Sequence, residues 1–201
     1  MIIKDKNKLK EICEPCTSIQ EGEEIGAQLL DELTKSKNGI GLAANQIGIN
    51  KRVCVINVKE PIVLVNPKIV HSSDEQFIFP ESCLSFPKKH IKTVRNVSIK
   101  IEADNYEGQT LHFSADSKDV KDAFECACVQ HEIDHLDGIT MFDREHKQEP
   151  IVRGKNAPKK IGRNEKVTIT NGTETKVIKY KKAKNLIDSG AWKMSEIQIN
   201  V

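Results

Sequence analysis

Residues 130–138 read QHEIDHLDG. They lie at the end of a stretch, about 117–137, in which the spacing of the apolar residues is that of a helix. Four residues of this stretch fall on one side of the helix, and they are Val120, Phe124, Ala127 and His131. This stripe predicts that the helix buries one face. We expect Ser117 or Asp116 to cap the helix, because short side-chain oxygens accept hydrogen bonds from the free N–H groups of a first turn.

Two histidines four residues apart, His131 and His135, carry the strongest chemical signal in the chain. Residues at this spacing lie on one face of a helix, so both imidazoles can bind one metal ion. Glu132 lies on the flank of that face, where it can reach a water molecule on the metal as a general base. A surface helix with two unrelated histidines is the simpler alternative. Both histidines continue the apolar stripe, however, where unpaired polar groups are costly.

A metal ion at this position needs a third protein ligand. The third histidine of the metzincin pattern does not follow His135. A downstream carboxylate, as in thermolysin-like enzymes, could come from Glu145 or Glu149, which lie in a polar segment. The residues by themselves therefore leave the third ligand open.

The elements around this helix predict an α+β fold. An earlier helix is expected over 21–36, and β-like runs follow at 53–58, 62–70, 94–101 and 110–113. The order helix, strands, helix favours antiparallel or mixed β-sheets around a central metal-binding helix. Near the end of the chain, residues 167–180 are expected to form a hairpin around Asn171-Gly172, and residues 181–190 a short helix.

Charge divides the chain into two parts. Residues 1–152 carry 19 Lys and Arg against 25 Asp and Glu, whereas residues 153–201 carry 12 against 4. We expect one domain over 1–152 and, over 153–201, a basic linker with a small hairpin–helix appendage. The charge of the second part suggests a partner of its own, although a solvated surface is the simpler interpretation.

The sequence contains no apolar run long enough to span a membrane. The N-terminal residues MIIKDKNKLKEI also lack the apolar stretch of a signal peptide. We therefore expect a cytoplasmic protein without a membrane partner. Its six cysteines are expected to be free thiols, one of which can serve as a metal ligand.

Three segments together resemble the peptide deformylase family. GIGLAANQ (39–46) is similar to its Gly-x-Gly-x-Ala-Ala-x-Gln motif, and ESCLS (81–85) is similar to Glu-Gly-Cys-Leu-Ser. QHEIDHLDG (130–138) matches Gln-His-Glu-x-Asp-His-Leu-x-Gly, and the order is that of the family. The resemblance covers residues 1 to about 145, has the compact ending of bacteriophage members, and implies that 1–152 is the catalytic domain.

The resemblance implies a complete metal site. Cys83 would be the third ligand beside His131 and His135, with water in the fourth position, as an open catalytic site requires. The ion would be one divalent metal, with Fe²⁺ favoured in the cell and Zn²⁺ or Ni²⁺ as replacements. The alternative for Cys83 is a buried free thiol.

The resemblance also implies the reaction, which removes the formyl group from N-terminal formyl-methionine of new polypeptides and releases formate. A hydroxide on the metal would attack the formyl carbon, while Glu132 takes the proton of the water and passes it to the leaving amine. The side-chain amide of Gln46 and the backbone N–H of Leu84 would stabilise the oxyanion. Formyl-methionyl peptides are therefore the expected substrates.

Methionine specificity implies an apolar pocket, and the positions that match it in this sequence are Ile40, Glu81, Leu84, Phe124, Ala127 and Cys128. Gly41 would let the backbone run beside the bound peptide. The family pairs its motif glutamate with an arginine on the following strand. Arg95 is the matching residue, and the pair with Glu81 would hold the Cys83 loop. Ser82 departs from the family's glycine and would strain the loop if the position needs a positive φ.

Two other classes compete with this interpretation. A zinc endopeptidase would use the two histidines but leaves Cys83 unexplained. A non-catalytic binding protein that kept the fold has no need of Glu132, because a structural metal site requires no general base. For the basic segment, the ribosome and its RNA phosphates are a candidate partner, because the formylated N-terminus emerges there.

Overall fold

A computed structural model describes residues 1–116, 119–147 and 162–194 of the chain. The chain divides into two units, Met1–Gln148 and Glu149–Val201. The strand pairs among the described residues are antiparallel, and helices pack against the sheets, so the predicted α+β class is confirmed. Of the expected linker, residues 153–165, the part up to residue 161 lies outside the described residues.

Two helices dominate the first unit. Helix α1 (Ile19–Thr34) begins after Ser18, whose side chain accepts a hydrogen bond from the N–H of Glu21. Helix α2 (Val120–Leu136) begins after Asp119, which accepts from the N–H of Lys121. Both predicted helices are confirmed with shifted ends. The predicted cap of α2 is wrong, because the helix starts beyond Asp116, and Ser117 lies outside the described residues.

Helix α2 is enclosed rather than amphipathic. Every residue from Glu125 to Leu136 is buried, whereas Val120 is 67% and Phe124 41% exposed. The prediction of a single buried face is therefore wrong. The reason is that strands of three sheets pack around the helix, so its polar residues are buried as completely as its apolar ones.

The first sheet lies between the two helices. It consists of β1 (Gly41–Ala43), β2 (Val53–Asn57) and β3 (Pro61–Val65) in that order. Val53 and Val55 of β2 pack with the apolar residues of α1, whereas Cys54 and Ile56 pack with those of α2. A strand buried on both faces has a continuous apolar sequence, and β2 accordingly reads VCVI.

Two further sheets complete the first unit. One contains β4 (Lys68–Ser72), β7 (Ser98–Glu102) and β8 (Leu111–Ser114), and the other pairs β5 (Gln76–Ser82) with β6 (His90–Asn96).

Two predicted strands, 62–70 and 94–101, each contain a break. At Asn66, where φ is 51°, the chain turns between β3 and β4, and at Val97 it leaves β6 for β7. Strand β5 was missed, since its Phe-Ile-Phe-Pro sequence contains a proline that argues against a strand interior.

The second unit, as far as it is described, contains the predicted hairpin and helix. Strands β9 (Lys166–Thr170) and β10 (Thr175–Lys179) pair antiparallel, α3 (Tyr180–Asp188) follows, and the short β11 (Lys193–Met194) adds to β9. A small apolar cluster forms within it and includes Val167, Ile169 and Ala183. Among the helices of the described residues, none is both long and apolar enough to cross a membrane.

We predict that the contact between α1 and β3 tolerates no side chain at Gly22. A Cβ there would lie 2.3 Å from Val65 Cγ1 and 2.9 Å from Val65 Cβ. Overpacking costs about 1–3 kcal/mol, and the helix preference of alanine offsets up to about 1 kcal/mol. Gly22→Ala should therefore lower the free energy of unfolding by about 1–2 kcal/mol in urea titrations.

The control is Gln20→Ala, on the exposed side of the same helix, which should change stability little. Val65→Ala removes the clashing methyl groups, so the double variant Gly22→Ala/Val65→Ala should lose less than the sum of the single losses. Strict additivity would contradict the proposed contact.

Candidate metal centre

Three buried side chains, Cys83, His131 and His135, offer ligand atoms that all lie within 4.8 Å of one another. The two imidazoles come from successive turns of α2, and their ring centroids are 4.8 Å apart. Sγ of Cys83 lies 3.3 Å from Nε2 of His135. One thiol and two imidazoles form a donor set that accepts Zn²⁺, Fe²⁺ or Ni²⁺, so the residues present fit a divalent metal ion.

The structure tests one of the two carboxylates that were alternatives to Cys83 as the third ligand. Glu145 is exposed, pairs through its backbone with Thr93, and is not part of the cluster, so it is wrong as a ligand. Glu149 lies outside the described residues.

Cys83 reaches the cluster from the loop that follows β5. The N–H of Phe86 donates to the carbonyl of Cys83 at 3.0 Å, which closes a tight turn. Ser82, the last residue of β5, does not have a positive φ, so the strain considered for a replaced glycine is absent there. Its Oγ instead lies 2.7 Å from Nδ1 of His90 on the paired strand.

His131 is oriented by Glu81. Nδ1 of His131 lies 2.8 Å from Oε2 of Glu81, which turns Nε2 towards the cluster. The predicted pair of Glu81 with Arg95 also forms, through Nε at 2.6 Å and Nη2 at 2.9 Å. Thr93 donates a further hydrogen bond to Glu81 at 2.8 Å. Burial by itself would raise the pKa of Glu81, but the hydrogen bonds from His131 and Arg95 hold it at about 2.

Arg95 connects the β5–β6 hairpin to the metal-binding helix. Its Nη1 donates to Oδ2 of Asp134, which also binds Arg144 through two hydrogen bonds of 2.8 and 3.1 Å. Sequence reasoning missed Asp134, although an acidic residue inside a buried helix requires a cationic partner. The arrangement fixes the distance between the strand that leads to Cys83 and the helix that carries the histidines.

The two imidazoles differ in their electrostatic surroundings. Burial lowers the pKa of His131, but hydrogen bonds with Cys83 and Glu81 outweigh it and raise the pKa well above the usual value. Burial and the charge of His131 lower the pKa of His135 well below its usual value. His135 is therefore neutral, as a metal ligand must be, and the hydrogen bond with the Glu81 carboxylate makes the imidazole of His131 a more basic donor.

Gln46 presents its amide to the same site. Its Oε1 accepts the N–H of Ala43 at 2.8 Å, which assigns the orientation of the amide. Nε2 then lies 3.1 Å from Oγ of Ser85 and 3.4 Å from Sγ of Cys83. The N–H of Leu84 meets no acceptor among the residues that the structure describes. Ser85, the last residue of the second motif, was missed as a support of Gln46.

Glu132 is 3% exposed, and its Oε2 has no hydrogen-bond partner among the described residues. Burial raises the pKa of this carboxyl group to about 7, against the opposing charges of His131 and Arg95. Gly41 of β1 makes room for it, because a Cβ at that position would lie 2.5 Å from Oε1 of Glu132. A buried carboxyl with this pKa can accept and return a proton near neutral pH.

A cavity of about 480 Å³ opens directly above these groups. Its apolar wall includes Phe79 and Phe124, whose rings contact edge to face with centroids 5.0 Å apart. The predicted pocket positions all line this cavity, and they are Ile40, Glu81, Leu84, Phe124, Ala127 and Cys128, as does the predicted backbone position Gly41. The oxygens of Glu81 are already engaged by His131, Arg95 and Thr93, however, which leaves them little capacity to bind a substrate.

Comparison with known proteins gives one family. The family model described as polypeptide deformylase matches residues 1–150. A peptide deformylase from Natranaerobius thermophilus is 38% identical over 143 residues, which are 70% of this chain and 87% of the relative. One from Rhizobium meliloti is 40% identical over 111 residues, which are 52% of this chain and 60% of the relative.

Solved structures give the same family. A probable peptide deformylase from Synechococcus phage S-SSM7 is 35% identical, with a TM-score of 0.59, and the match covers 72% of this chain and 98% of that chain. The matched residues include all three motifs, so the predicted family and reaction are confirmed. The chain belongs to the polypeptide deformylase family, the metal-dependent enzymes that remove the formyl group from the N-terminus of newly made polypeptides.

Proposed function

We propose that Cys83, His131 and His135 hold one divalent metal ion, with which the chain releases formate from N-terminal formyl-methionine. The observation that carries this proposal is the cluster of three ligand atoms beside a cavity that Cys83, His131 and Glu132 line. Oε2 of Glu132 has no hydrogen-bond partner there among the described residues. Fe²⁺ is the proposed ion in the cell, and the donor set also suits Zn²⁺ or Ni²⁺. Such an ion, when bound, polarises the formyl carbonyl and lowers the pKa of water.

Glu132 is the proposed general base. Its carboxyl is buried, lacks a partner at Oε2 within the described residues, and has a pKa near 7. It takes a proton from the attacking water and delivers the proton to the nitrogen of methionine as the C–N bond breaks. A group with a pKa near the working pH can perform both transfers.

Gln46 and Leu84 are the proposed donors to the formyl oxygen. The hydrogen bond from Ala43 aims the amide nitrogen of Gln46 at the site, and the N–H of Leu84 has no acceptor in the described part of the chain. Donors that are held in place before the reaction stabilise the negative charge that develops on the oxygen.

The methionine side chain is proposed to occupy the apolar wall of the cavity. Ile40, Phe124, Ala127 and Cys128 would contact it, and Gly41 lets the substrate backbone run beside β1. Glu81 and Arg95 act through His131 and do not touch the substrate in this proposal. Their contribution is to orient the imidazole.

We further propose that the chain works in the cytoplasm and that its second unit binds the ribosome. All six cysteines are free thiols, which suits a reducing compartment. Residues 162–194 carry eight Lys and Arg against three Asp and Glu. Such a surface can bind RNA phosphates and release counterions, which would bring the enzyme close to its emerging substrate.

The direct test of the reaction is incubation of the metal-loaded protein with formyl-Met-Ala-Ser and measurement of formate. Formate should appear together with free N-terminal methionine. Cleavage of an internal peptide bond without formate would instead support an endopeptidase.

For the metal ligands, we predict that Cys83→Ser removes the bound ion. A serine hydroxyl is a much weaker donor than a thiolate, so metal analysis should fall from one ion per chain to a small fraction. Cys126→Ser is the matched control, since Cys126 is also buried but contacts the carbonyls of Asn96 and Val97. Full metal content in Cys83→Ser would show that another residue is the third ligand.

For the general base, we predict that Glu132→Gln keeps the metal and lowers kcat by roughly 10²-fold or more. Glutamine preserves the shape of the side chain but cannot accept the proton. Formate release and metal content are measured on the same preparation. If the variant lost its metal and regained the full rate on metal addition, Glu132 would be a ligand support and not the base.

For the second unit, we predict that neutralising Lys181, Lys182 and Lys184 of α3 to glutamine weakens co-sedimentation with ribosomes. The loss should be largest at low salt, where counterion release contributes most. The matched control replaces three exposed lysines of the first unit, Lys8, Lys68 and Lys100. Equal co-sedimentation of both variants and the unchanged protein would contradict the proposal and favour a merely solvated surface.

A further inference from the structure

The mouth of the catalytic cavity is cationic. Lys88 and Lys89, at the end of the turn between β5 and β6, line it together with His90, the first residue of β6, and all three are exposed. The acidic residues that line the same cavity are Glu81 and Glu132, which are buried at its floor. A substrate that enters the cavity therefore passes these positive charges.

The two lysines are not engaged elsewhere in the part of the chain that the structure describes. No ion pair or hydrogen bond joins either side chain to a described residue. Surface lysines are commonly solvated, and exposure alone would assign them no role. These two lysines, however, lie at the entrance of a catalytic cavity, where they can contact a bound substrate.

The backbone of this turn is held in a defined conformation. Lys88 has a φ of 69°, and Lys89 donates its N–H to the carbonyl of Phe86 at 3.1 Å. The ring of Phe86 contacts Phe142 with centroids 5.0 Å apart. The hydrogen bond between Ser82 and His90 closes the hairpin immediately beside Cys83. The backbone positions from which the two lysine side chains extend are thus held relative to Cys83.

The path of the substrate brings its next residues to these cations. In the proposed function the formyl group lies at the floor, and the methionine side chain contacts the apolar wall with Ile40, Phe124 and Ala127. The residues that follow methionine must then leave through the mouth. Resting on that proposed function, we infer that Lys88 and Lys89, with His90 beside them, select formyl-methionyl chains whose second and third residues are acidic.

The preference for acidic over neutral second and third residues should be moderate and sensitive to salt. An exposed ion pair changes an equilibrium by up to about fivefold, and salt screens it over a distance of roughly 10 Å at 0.1 M. The pairs form equally in the bound substrate and in the transition state, because they lie away from the bond that breaks. The preference should therefore appear in KM, while kcat changes little.

The experiment compares two peptides of nearly the same shape, formyl-Met-Asp-Asp-amide and formyl-Met-Asn-Asn-amide, with the full-length, metal-loaded protein. We expect kcat/KM for the acidic peptide to exceed that for the neutral one several-fold at low salt, and the ratio to fall towards one at about 1 M salt. The double variant Lys88→Asn/Lys89→Gln should lose the preference, and asparagine tolerates the positive φ at position 88. Lys8→Gln/Lys100→Gln, which removes the same charge away from the cavity, should keep it.

A second variant controls for the possibility that the double substitution changes the conformation of the turn. Lys89→Glu leaves one cation and one anion at the mouth, so it should abolish the preference for the acidic peptide and raise kcat/KM for formyl-Met-Lys-Lys-amide above the value in the unchanged protein. An equal acidic-to-neutral ratio in the unchanged protein and in Lys88→Asn/Lys89→Gln would overturn the inference. The same holds if that double variant keeps the ratio but binds ribosomes less well, which would assign the lysines to RNA. Formate from both peptides without a preference overturns this inference alone, whereas no formate from any peptide overturns the proposed function with it.

Discussion

The buried ion pairs of Arg95 hold together the two parts of the chain that form the metal centre. Cys83 lies in the loop of the β5–β6 hairpin, and the histidines belong to α2, so the distance between them depends on how hairpin and helix are joined. Arg95 binds Glu81 on one side and Asp134 on the other, and it is 3% exposed. Breaking such a buried arrangement by removing one partner typically costs about 3–5 kcal/mol, because an uncompensated charge remains. The same contacts orient His131, so the stability of the fold and the geometry of the site have a common cause.

The chemistry of the site was visible in the sequence wherever it depends on local spacing. His131, Glu132 and His135 could be assigned to one helix face because helical geometry fixes their relation. Cys83 could be named only through the family resemblance, since residue spacing alone also allowed Glu145. The contacts of Asp134 with Arg95 and of Ser85 with Gln46 were not predicted. They join residues 39 positions apart, and a buried polar residue signals that it needs a partner but not which distant residue supplies it.

The fold, like the site, could be predicted where it depends on local sequence patterns and not where it depends on tertiary contacts. Continuous apolar runs and turn residues located most strands, but the breaks at Asn66 and Val97 were missed because the apolar pattern continues across them. The misjudged burial of α2 has a different origin. Periodicity describes a helix with one solvent-facing side, whereas α2 is enclosed by three sheets. Its polar residues could be buried only because each pairs with a specific partner or belongs to the metal centre, and this compensation depends on the tertiary structure.

Enclosure of α2 also accounts for the properties of Glu132. A carboxyl group on an exposed helix would be ionised and hydrated, with little tendency to return a proton. In this chain the absence of a side chain at Gly41 allows β1 to pack directly over the carboxyl, and this burial raises its pKa to about 7. The cavity nevertheless reaches the same group, so water and substrate have access to it. The glycine of the first motif and the glutamate of the third therefore form one functional element, which would be lost if either the packing or the access were changed.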